Sequence, residues 1–466
     1  MPVNSFENYP MSWKPRRTDD GEPLYLMIAR QLESDIRNGD LLPGTKLPPQ
    51  RELADYLDVN VSTISRAFGI CSRKGLLGGT VGSGTFVAYD ALANINVTPQ
   101  DEGGAIIEMG SVMPERTSYE EISAVLKKML AEPDFGRFLH YGAAAGSLWQ
   151  RETAVRLLRK AGCETTEDRL LPATGGQNAI AAIVAGLFRP GDCIGVDPMT
   201  YPGMKSVAKL LGVRLIPIGQ EGGEICEEGL IHACDNAKIK AVYIMPDYQN
   251  PTTHTMSDEG REMIARTAKE RDLLIIEDAI HSLLAPRPNQ SVASRAPEHT
   301  VHIASLSKTV SPGLRLCYIA TPPRYKDALS DSLYSLNLTG SPFLLEIASR
   351  VIASGSAETI AARHRELAMG RNAVVNEMLA GYDLRGADEC IFRWLLLPGG
   401  WSGERFESAA SAAGVRVYGA ERFAVGKAKP AAAVRLAIAA PESIEELKEG
   451  VRRLLVLLRK EEVAKL

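Results

Sequence analysis

The sequence predicts two folded parts, a short α+β part at the N-terminus and a much larger α/β part behind it. Residues 20–88 contain three helical patterns and then two short β-prone runs joined by a glycine-rich turn. Residues 105–466 alternate β-branched runs with helical stretches, which is typical of a doubly wound, mainly parallel sheet covered by helices on both faces. Residues 89–104 are polar, carry no sustained hydrophobic period and predict a linker.

Composition and charge place the chain among soluble globular proteins. The 466 residues are 45% hydrophobic and 24% charged, with a formal net charge of −4. The seven cysteines include no C-x-x-C pair, so we expect neither a disulfide framework nor a metal site. The N-terminus lacks the apolar core of a signal peptide, and no apolar run reaches transmembrane length. We therefore expect a cytoplasmic protein that does not associate with membranes.

Three short helices are predicted in the N-terminal part. In PLYLMIARQLESDIRNG, Tyr25, Ile28, Leu32 and Ile36 recur at helical spacing. The stretch QRELADYLDV predicts a second helix, and Asn60 is the expected N-cap of a third, VSTISRAFGICSRKG. The third helix turns its apolar residues to one side and leaves a polar face for contact with another molecule.

A hairpin follows the third helix. The runs GLLGG and GTFVA are joined by TVGSG, whose glycines suit a tight turn. Residues 30–86 carry 7 Lys and Arg against 6 Asp and Glu, a net charge of only +1. This is low for a unit that binds DNA, because affinity rests on the neutralisation of phosphates. A dimer that presents two such faces would compensate.

The segment PPQRELADYLDVNVSTISRAF, followed by GLLGGTVGSGTFVA, resembles the winged helix-turn-helix of GntR-family repressors over about residues 23–88. The resemblance implies operator DNA as a partner. The residues that would contact it are Arg51, Asn60, Ser62, Thr63, Ser65 and Arg66 of the helices and Gly82, Ser83 and Gly84 of the wing. Val61 stands where many relatives carry arginine, so the sequence that is read stays open. A helical hairpin used only for packing or dimerisation is the alternative, which the wing disfavours.

Four motifs in the larger part are weak signals when each is taken alone. A glycine pair opens a helix in ATGGQNAIAA, Asn250 precedes a proline in YQNPTTHT, and Asp278 ends a buried strand in LLIIEDAIHS. SLSKTVSPGLRL holds Lys308 and Arg315. A turn, a strand terminus or a solvated charge would account for each motif equally well.

The order of these motifs is more specific. Asn250, Asp278, Lys308 and Arg315 follow one another at intervals of 28, 30 and 7 residues, after the glycine pair and the aromatic run DPMTYPG. Together they resemble the fold-type I pyridoxal-phosphate enzymes, the class I/II aminotransferases. With the N-terminal part, the chain resembles the MocR-type subfamily of GntR regulators.

That resemblance also implies how the larger part is divided. A large portion would cover about residues 150–335, and a small portion about residues 105–149 plus 336–466.

The resemblance implies pyridoxal 5'-phosphate as the cofactor. Lys308 would bind its aldehyde, Asp278 would keep its pyridine nitrogen protonated, and Asn250 would hydrogen-bond its phenolic oxygen. Tyr201 would stack on the ring, although a buried core tyrosine is the alternative. The phosphate would be held by Gly175, Gly176, Gln177, Ser305, Ser307 and Arg315. Tyr141 matches the tyrosine that reaches the phosphate of a neighbouring subunit, which requires a homodimer.

Two further positions concern the ligand. Arg435 in AVRLAIAAPES matches the carboxylate-binding arginine of the family, so the implied effector or substrate is an amino acid or a similar amine. His281 stands three residues after Asp278, where the enzymes usually carry tyrosine. It would be either a substitute hydrogen-bond donor or an inert packed residue.

The sequence leaves three functions to weigh. A regulator would sense the cofactor or an amine bound to it and pass the change to its DNA-binding part. A working aminotransferase would carry the N-terminal part as an accessory, and the presence of Lys308, Asp278 and Arg435 leaves side transaminase activity open. The intact lysine motif argues against a bare dimeric scaffold. We favour the regulator, because an enzyme needs no Gly-rich wing.

Overall fold

The computed structural model describes residues 11–16, 23–38, 40–42, 44–73, 76–80, 84–88, 106–115, 117, 119–426 and 430–463. The chain divides into two compact units, Met1–Ala105 and Ile106–Leu466. Gly82 and Ser83, predicted in the wing, and residues 89–104, predicted as the linker, lie outside the described residues. No helix in the described part of the chain is long and apolar enough to span a membrane.

The described residues of the first unit form three helices and a hairpin. Its elements are α1 (Leu24–Asn38), α2 (Gln50–Leu57), α3 (Val61–Arg73), β1 (Leu77–Thr80) and β2 (Gly84–Val87), and the two strands pair antiparallel. The apolar faces of the helices form one core, in which Leu32, Leu53 and Ile64 are fully buried. Trp13, which precedes α1, is buried in the same core, and its ring N–H donates to Oδ2 of Asp35 at 2.7 Å.

The second unit has twelve helices and fifteen strands among its described residues. Its helices are α4 (Glu120–Leu130), α5 (Leu148–Lys160), α6 (Gly176–Leu187), α7 (Pro202–Leu210), α8 (Glu227–His232), α9 (Asp258–Arg271), α10 (Val292–Arg295), α11 (Pro323–Asn337), α12 (Pro342–Ala353), α13 (Ser356–Met378), α14 (Gly403–Ala412) and α15 (Ile444–Val463). Its strands are β3 (Ile107–Glu108), β4 (Leu170–Ala173), β5 (Cys193–Val196), β6 (Arg214–Pro217), β7 (Gln220–Glu221), β8 (Glu224–Ile225), β9 (Ala241–Ile244), β10 (Leu274–Asp278), β11 (Thr300–Ser305), β12 (Cys317–Ala320), β13 (Leu384–Arg385), β14 (Arg393–Leu396), β15 (Val415–Arg416), β16 (Tyr418–Gly419) and β17 (Ala433–Leu436). Short 3-10 or π turns lie at Phe135–Leu139, Glu167–Arg169, Ala233–Ala237, Ser282–Leu284, Pro312–Leu314 and Ala420–Arg422.

A seven-stranded sheet organises the second unit, in the order β4-β12-β11-β10-β9-β5-β6. Alternate residues of its strands face opposite layers of helices. Ile276 packs in one layer with Ile180 of α6, and Ile275 packs in the other with Ile264 of α9. The predicted α/β sheet with helices on both faces is confirmed. It is mixed rather than wholly parallel, because β12 runs antiparallel to both of its neighbours.

Local sequence signals set the ends of the helices. The Ser257 hydroxyl accepts the N–H of Gly260 at 3.0 Å where α9 begins, and Asp272 in a left-handed conformation, φ 49°, ends that helix. Such caps fix where the following strand starts. They therefore position the residues at its carboxyl end.

A second sheet forms the small portion. It has the order β13-β14-β17-β16 and packs with α13, α14 and α15. The predicted segment 105–149 is divided between the two portions. Ile107 and Met109 pack in the core of the small portion, because β3 pairs with β15. Met129 and Phe138 pack instead with α5 and α12 beside the large sheet, where the apolar face of α4 finds its complement.

Candidate functional site

The predicted cofactor residues lie around the carboxyl ends of the strands of the large sheet. Asp278 is the last residue of β10, Asn250 follows β9, and Lys308 follows β11. Gly175 separates β4 from α6, and Tyr201 precedes α7. Open α/β sheets bind their ligands at this edge, because the loops there converge on one crevice.

Asp278 is buried and is oriented by a tyrosine of the adjacent strand. The Tyr243 hydroxyl donates to Oδ2 of Asp278 at 2.6 Å. Oδ1 is also buried and has no hydrogen-bond partner among the described residues. Burial raises the pKa of Asp278 to about 6, against the opposing effect of the Tyr243 hydrogen bond. The unpartnered oxygen is suited to accept a hydrogen bond from a protonated ring nitrogen.

Lys308 lies in a positively charged setting. Its Nζ donates to the carbonyl oxygen of Val112 at 2.6 Å. Burial, and then the charges of Arg435 and Arg315, lower the pKa of Lys308 to about 8. A lowered pKa gives more of the neutral amine near neutral pH, and only the neutral amine is nucleophilic.

The glycine turn and Arg315 form a cradle. Gly175 has φ 95°, and a Cβ at this position would lie 2.5 Å from an Arg315 guanidinium nitrogen, so only glycine fits. That guanidinium donates to the carbonyl oxygen of Thr174 at 3.4 Å, and α6 begins at Gly176 with its N–H groups at the same turn. Guanidinium and helix N-terminal N–H groups together suit a phosphate.

Two serines add to the cradle region, whereas Gln177 is engaged elsewhere. The backbone N–H of Ser307 donates to the Ser305 hydroxyl at 3.2 Å. The Ser307 hydroxyl is buried without a partner in the described part of the chain. The Gln177 amide donates to the carbonyl oxygen of Gly203 at 3.0 Å, which ties α6 to α7. The structure thus supplies a spare buried hydroxyl at Ser307.

Tyr201 lies on the same side of the sheet as Asp278. Its ring lies against Gly203, because a Cβ at that glycine would be 2.2 Å from a ring carbon of Tyr201. Burial, and then the negative charge of Asp278, raise the pKa of Tyr201. The ring is therefore close to the carboxylate but also packs against the core of the sheet.

Arg435 is buried among aromatic rings. Its guanidinium carbon lies 4.9, 5.5 and 5.9 Å from the ring centroids of Phe423, Tyr418 and Phe392. Its terminal nitrogens donate to Oδ1 of Asn250 and to the carbonyl oxygen of Gly110, each at 2.5 Å. Its Nε finds no partner within the described residues, and burial lowers the pKa of Arg435 to about 10.

His281 has its ring N–H committed. Nδ1 lies 3.2 Å from the carbonyl oxygen of Tyr248, and since a carbonyl only accepts, Nδ1 carries the proton. Burial, and then the charge of Lys308, lower the pKa of His281 to about 3. Its Nε2 is a buried acceptor with no partner in the residues described. His281 is therefore a neutral acceptor on the side of Lys308, not a donor.

Tyr141 and the predicted dimer contact lie at the surface. Tyr141 is 82% exposed. The residues that follow it line an open groove of about 300 Å³, which Thr174 and Arg315 also line. The groove thus joins the surface beside Tyr141 to the phosphate cradle.

The predicted DNA-contacting residues of the helices lie on α2 and α3 and just before α3. Arg51, Ser62 and Arg66 are exposed, whereas Thr63 is half-buried. Oδ1 of Asn60 accepts the N–H of Ser62 at 2.9 Å, which is the predicted N-cap contact.

Two of these side chains are held by neighbouring helices. The Ser65 hydroxyl donates to Oε1 of Gln50 at 2.6 Å and so joins α3 to α2. The Arg66 guanidinium lies over the ring of Tyr25 of α1, 4.0 Å from its centroid. Gly84 of the wing is exposed with φ 110°. Arg66 is thus exposed at the surface while its guanidinium stacks on the ring of Tyr25.

Comparisons with known proteins match both units. Residues 24–87 match the bacterial regulatory proteins of the gntR family, and residues 113–454 match aminotransferase class I and II. An uncharacterized HTH-type transcriptional regulator of Bacillus subtilis (strain 168), YdeF, is 53% identical over 458 residues, which are 98% of this chain and 99% of that protein. The chain belongs to the MocR-type GntR family of transcription regulators.

More distant relatives of this MocR-type regulator share its fold. The HTH-type pyridoxine biosynthesis transcriptional regulator PdxR of Corynebacterium glutamicum is 21% identical over 363 residues, 76% of this chain and 78% of that protein. Among solved structures, an archaeal alanine:glyoxylate aminotransferase has a TM-score of 0.71 at 21% identity, covering 78% of this chain and 92% of its own. LysN of Thermus thermophilus, an alpha-aminoadipate aminotransferase complexed with N-(5'-phosphopyridoxyl)-L-leucine, has a TM-score of 0.68 at 21% identity, with 76% and 92% covered.

These matches confirm the predicted family, fold class and cofactor of the MocR-type regulator, and its winged unit is of the kind that binds operator DNA. The side chains present fit pyridoxal phosphate at each of its ends. Oδ1 of Asp278 is buried without a hydrogen-bond partner among the described residues, the Gly175 turn leaves room that a side chain would fill, and Lys308 has the lowered pKa of a reactive amine. A ring nitrogen, a phosphate and an aldehyde each have a matching group.

Sequence reasoning missed three contacts of the site. Tyr243 donates to Asp278, and its only signal in the sequence is a hydroxyl within the otherwise apolar run AVYIM. Gly110 and Val112 contact Arg435 and Lys308 through backbone oxygens, which leave no signal in side-chain patterns.

Proposed function

We propose that this transcription regulator binds operator DNA as a homodimer and senses an amino acid or a similar amine at the cofactor site of its second unit. It acts in the cytoplasm, where operator DNA lies. The observation that carries the proposal is that Lys308, Arg435 and Asp278 occupy one buried site in a chain that also has a winged unit. A ligand bound at this site can be coupled to the affinity of the winged unit for DNA.

The residues of the site divide the work of holding the cofactor. When bound, pyridoxal phosphate supplies an aldehyde that condenses with an amine with loss of one water, and a ring that withdraws electrons. Lys308 would supply the amine, and Oδ1 of Asp278 would accept the ring N–H. Oδ1 of Asn250 accepts from Arg435, so the amide N–H groups of Asn250 are left for the phenolic oxygen. Tyr201 covers the ring.

The phosphate end is held by groups of the cradle. Arg315 provides charge, Gly175 and Gly176 provide backbone N–H groups, and the Ser307 hydroxyl is available because no described residue pairs with it. Gln177 and Ser305 position this cradle through their bonds to Gly203 and Ser307.

The effector is a carboxylate-bearing amine because of Arg435. Its guanidinium is buried among three rings, where an unpaired charge is costly and an ionic partner is favoured. A planar fork binds a carboxylate by two hydrogen bonds. The amine of the same molecule would then reach the cofactor.

Two observations support the proposed homodimer, the exposure of Tyr141 and the low net charge of one winged unit. A tyrosine that is 82% exposed beside the phosphate groove is placed to serve the site of a second copy. Two winged units also double the low positive charge that one unit offers to DNA.

Transamination is the second candidate function. The hydrogen bonding of His281 makes it less favoured than ligand sensing. Lys308, Asp278 and Arg435 supply the groups that the reaction needs. The His281 N–H is donated to Tyr248, however, so the phenolic oxygen lacks the donor that a tyrosine supplies in the enzymes. We therefore place ligand sensing first.

The cofactor role of Lys308 is tested by trapping. Full-length protein is mixed with pyridoxal phosphate, reduced with borohydride and digested, and the modified peptide is identified by mass spectrometry. We expect the reduced adduct on Lys308 and its loss in Lys308→Ala. Lys205→Ala is the matched control, because burial also lowers the pKa of Lys205 while its Nζ bonds to backbone oxygens away from the cradle. An adduct that lies on another lysine in the wild type, and persists there in Lys308→Ala, would show that Lys308 does not bind the cofactor.

A further inference from the structure

One short segment touches both cations of the site. Residues 110–112, here called the strap, follow β3. The carbonyl oxygen of Gly110 accepts from Arg435 at 2.5 Å, and the carbonyl oxygen of Val112 accepts from Nζ of Lys308 at 2.6 Å. The chain bends at Gly110 and Ser111, and this single short segment reaches both side chains through its carbonyl oxygens.

A carboxylate sets the shape of the strap. Oε1 of Glu108 accepts the backbone N–H groups of Gly110 and Ser111, each at 2.8 Å. Oε2 of the same residue accepts from Arg416 at 2.7 Å. Glu108 makes no hydrogen bond to a cofactor residue in these contacts, although its negative charge acts on Arg435 and opposes the lowering of that pKa by burial.

The strap is anchored at both of its ends. On one side, the N–H of Met109 donates to Arg416 and its carbonyl accepts from Ala437, at 2.9 and 2.7 Å. On the other, Glu115 forms a buried pair with Arg371, with Nε and Oε2 3.0 Å apart. Between these anchors the strap contacts the two cations and Glu108, the Ser111 hydroxyl lies 3.4 Å from the Tyr418 hydroxyl, and the Val112 side chain is buried in a hydrophobic cluster.

The strap also lies tightly against the ligand end of the site. A Cβ at Gly110 would be 2.9 Å from the ring of Tyr418, and that ring is 5.5 Å from Arg435. A group that binds Arg435 must therefore share a confined space with the Gly110 carbonyl. The arginine and the strap cannot respond independently.

We propose that the strap reports the occupancy of the site, in that a carboxylate bound to Arg435 displaces the Gly110 carbonyl and shifts the strap. This inference rests on the proposed role of Arg435. A charged oxygen forms a hydrogen bond about twice as strong as a neutral carbonyl does, so a carboxylate competes favourably with the Gly110 carbonyl for the Arg435 guanidinium. Lys308 must likewise turn from Val112 to reach a cofactor.

The shift has a covalent route to the DNA-binding unit. The strap continues through β3 into residues 89–105, which join the second unit to the winged unit in the sequence. A ligand that moves the strap therefore acts on the same stretch of chain that, towards the N-terminus, leads to the winged unit. Coupling between the ligand site and the DNA contacts requires an element that has two conformations, one of which the ligand favours.

Two stable conjugates separate the carboxylate from the rest of the ligand. N-(5'-phosphopyridoxyl)-L-alanine and N-(5'-phosphopyridoxyl)ethylamine differ only by that group. Each is bound to full-length protein, binding is measured by calorimetry, and hydrogen–deuterium exchange is followed in peptides that contain residues 107–115. We expect faster exchange with the alanine conjugate than with the ethylamine conjugate. Equal exchange with both bound conjugates would overturn the strap and leave the cofactor site standing.

A loosened strap should bind the carboxylate better. Glu108→Ala is expected to bind the alanine conjugate about threefold or more tightly than Glu108→Gln and to bind the ethylamine conjugate equally, because less of the binding energy goes into displacing Gly110. Glu108→Gln is the matched control, since it removes the same charge near Arg435 but keeps an oxygen that can accept the N–H groups of Gly110 and Ser111. The same ratio between the conjugates in both variants overturns the inference. Failure of wild-type protein to bind either conjugate would instead refute the proposed cofactor site.

Discussion

The Tyr243 hydroxyl and Oδ2 of Asp278 lie 2.6 Å apart between two adjacent parallel strands of the large sheet. Ile276 is the partner of Tyr243 in the register, so Asp278 stands two residues further along the same face of β10. The bond holds one carboxylate oxygen and leaves the other to the site. A central strand pair thus sets the orientation and the ionisation of the group on which a pyridine ring depends.

Tyr243→Phe should weaken cofactor binding more at low pH than at high pH. The hydroxyl favours the ionised carboxylate, so its loss raises the pKa of Asp278 above about 6. We expect the Kd for pyridoxal phosphate to rise about tenfold near about pH 6.5, with the difference shrinking towards about pH 9. Fluorescence titration across this range checks the profile. Tyr318→Phe, a change at a buried tyrosine of β12, is the control and should leave the pH profile unaltered. A loss of cofactor affinity in Tyr243→Phe that does not vary with pH would count against the role of Tyr243.

Gly175→Ala should act on the phosphate alone. The added Cβ would lie 2.5 Å from the Arg315 guanidinium and displace it, so we expect about tenfold weaker binding of pyridoxal phosphate and unchanged binding of pyridoxal. Gly191→Ala is the control for backbone strain, because Gly191 has a similar φ of 93° with nothing within 4 Å of its Cβ position. Equal losses for both ligands would show that the turn does not hold the phosphate.

Arg66→Ala should weaken DNA binding without changing cofactor content. The arginine is exposed on α3 and rests on Tyr25, so we expect about a tenfold loss of affinity for DNA selected from a random pool by the full-length protein. Tyr25→Leu should give a smaller loss, since it frees the arginine without removing it. Fluorescence anisotropy measures both, with Arg159→Ala of the second unit as the control. Wild-type affinity in Arg66→Ala would refute this contact.

Asp278→Asn should stabilise the cofactor-free protein while abolishing tight cofactor binding. Burial raises the pKa of Asp278 from 3.8 to about 6. As the pH rises from about 4 to about 6, the unfolded chain ionises first, so the wild type loses about 2–3 kcal/mol of unfolding free energy that the variant keeps. Below about pH 4 the two should agree. Denaturant titrations check this, with the exposed Asp327 changed to Asn as the control, and equal stability at about pH 8 would contradict the shift.

Much of the fold could be predicted because periodic patterns and caps are local. The alternation of buried runs with helices predicted the sheet, and Asn60 predicted the start of α3. The antiparallel β12 could not be predicted, because a short apolar run does not encode the direction in which it pairs. Trp13 was missed for a related reason, since a single anchor residue before a helix makes no period.

The site was predictable where side chains carry the chemistry. Lys308 and Asp278 stood out by order and spacing, Arg435 was implied by the family resemblance, and the structure brings the three to one crevice. The tautomer of His281 needed the Tyr248 carbonyl, and the strap needed the carbonyls of residues 110 and 112. Backbone groups are common to every residue, so only three-dimensional coordinates reveal which of them face a ligand.

The most direct test of the account is DNA affinity as a function of the cofactor and its ligands. Full-length wild type and Lys308→Ala are titrated onto the selected DNA with pyridoxal phosphate, alone and with a panel of amino acids and amines. We expect the wild-type affinity to change several-fold with at least one carboxylate-bearing amine, and Lys308→Ala to start from the same basal affinity and show no change. An equal response of both proteins, or a wild-type affinity that no member of the panel alters, would contradict the claim that this site controls DNA binding.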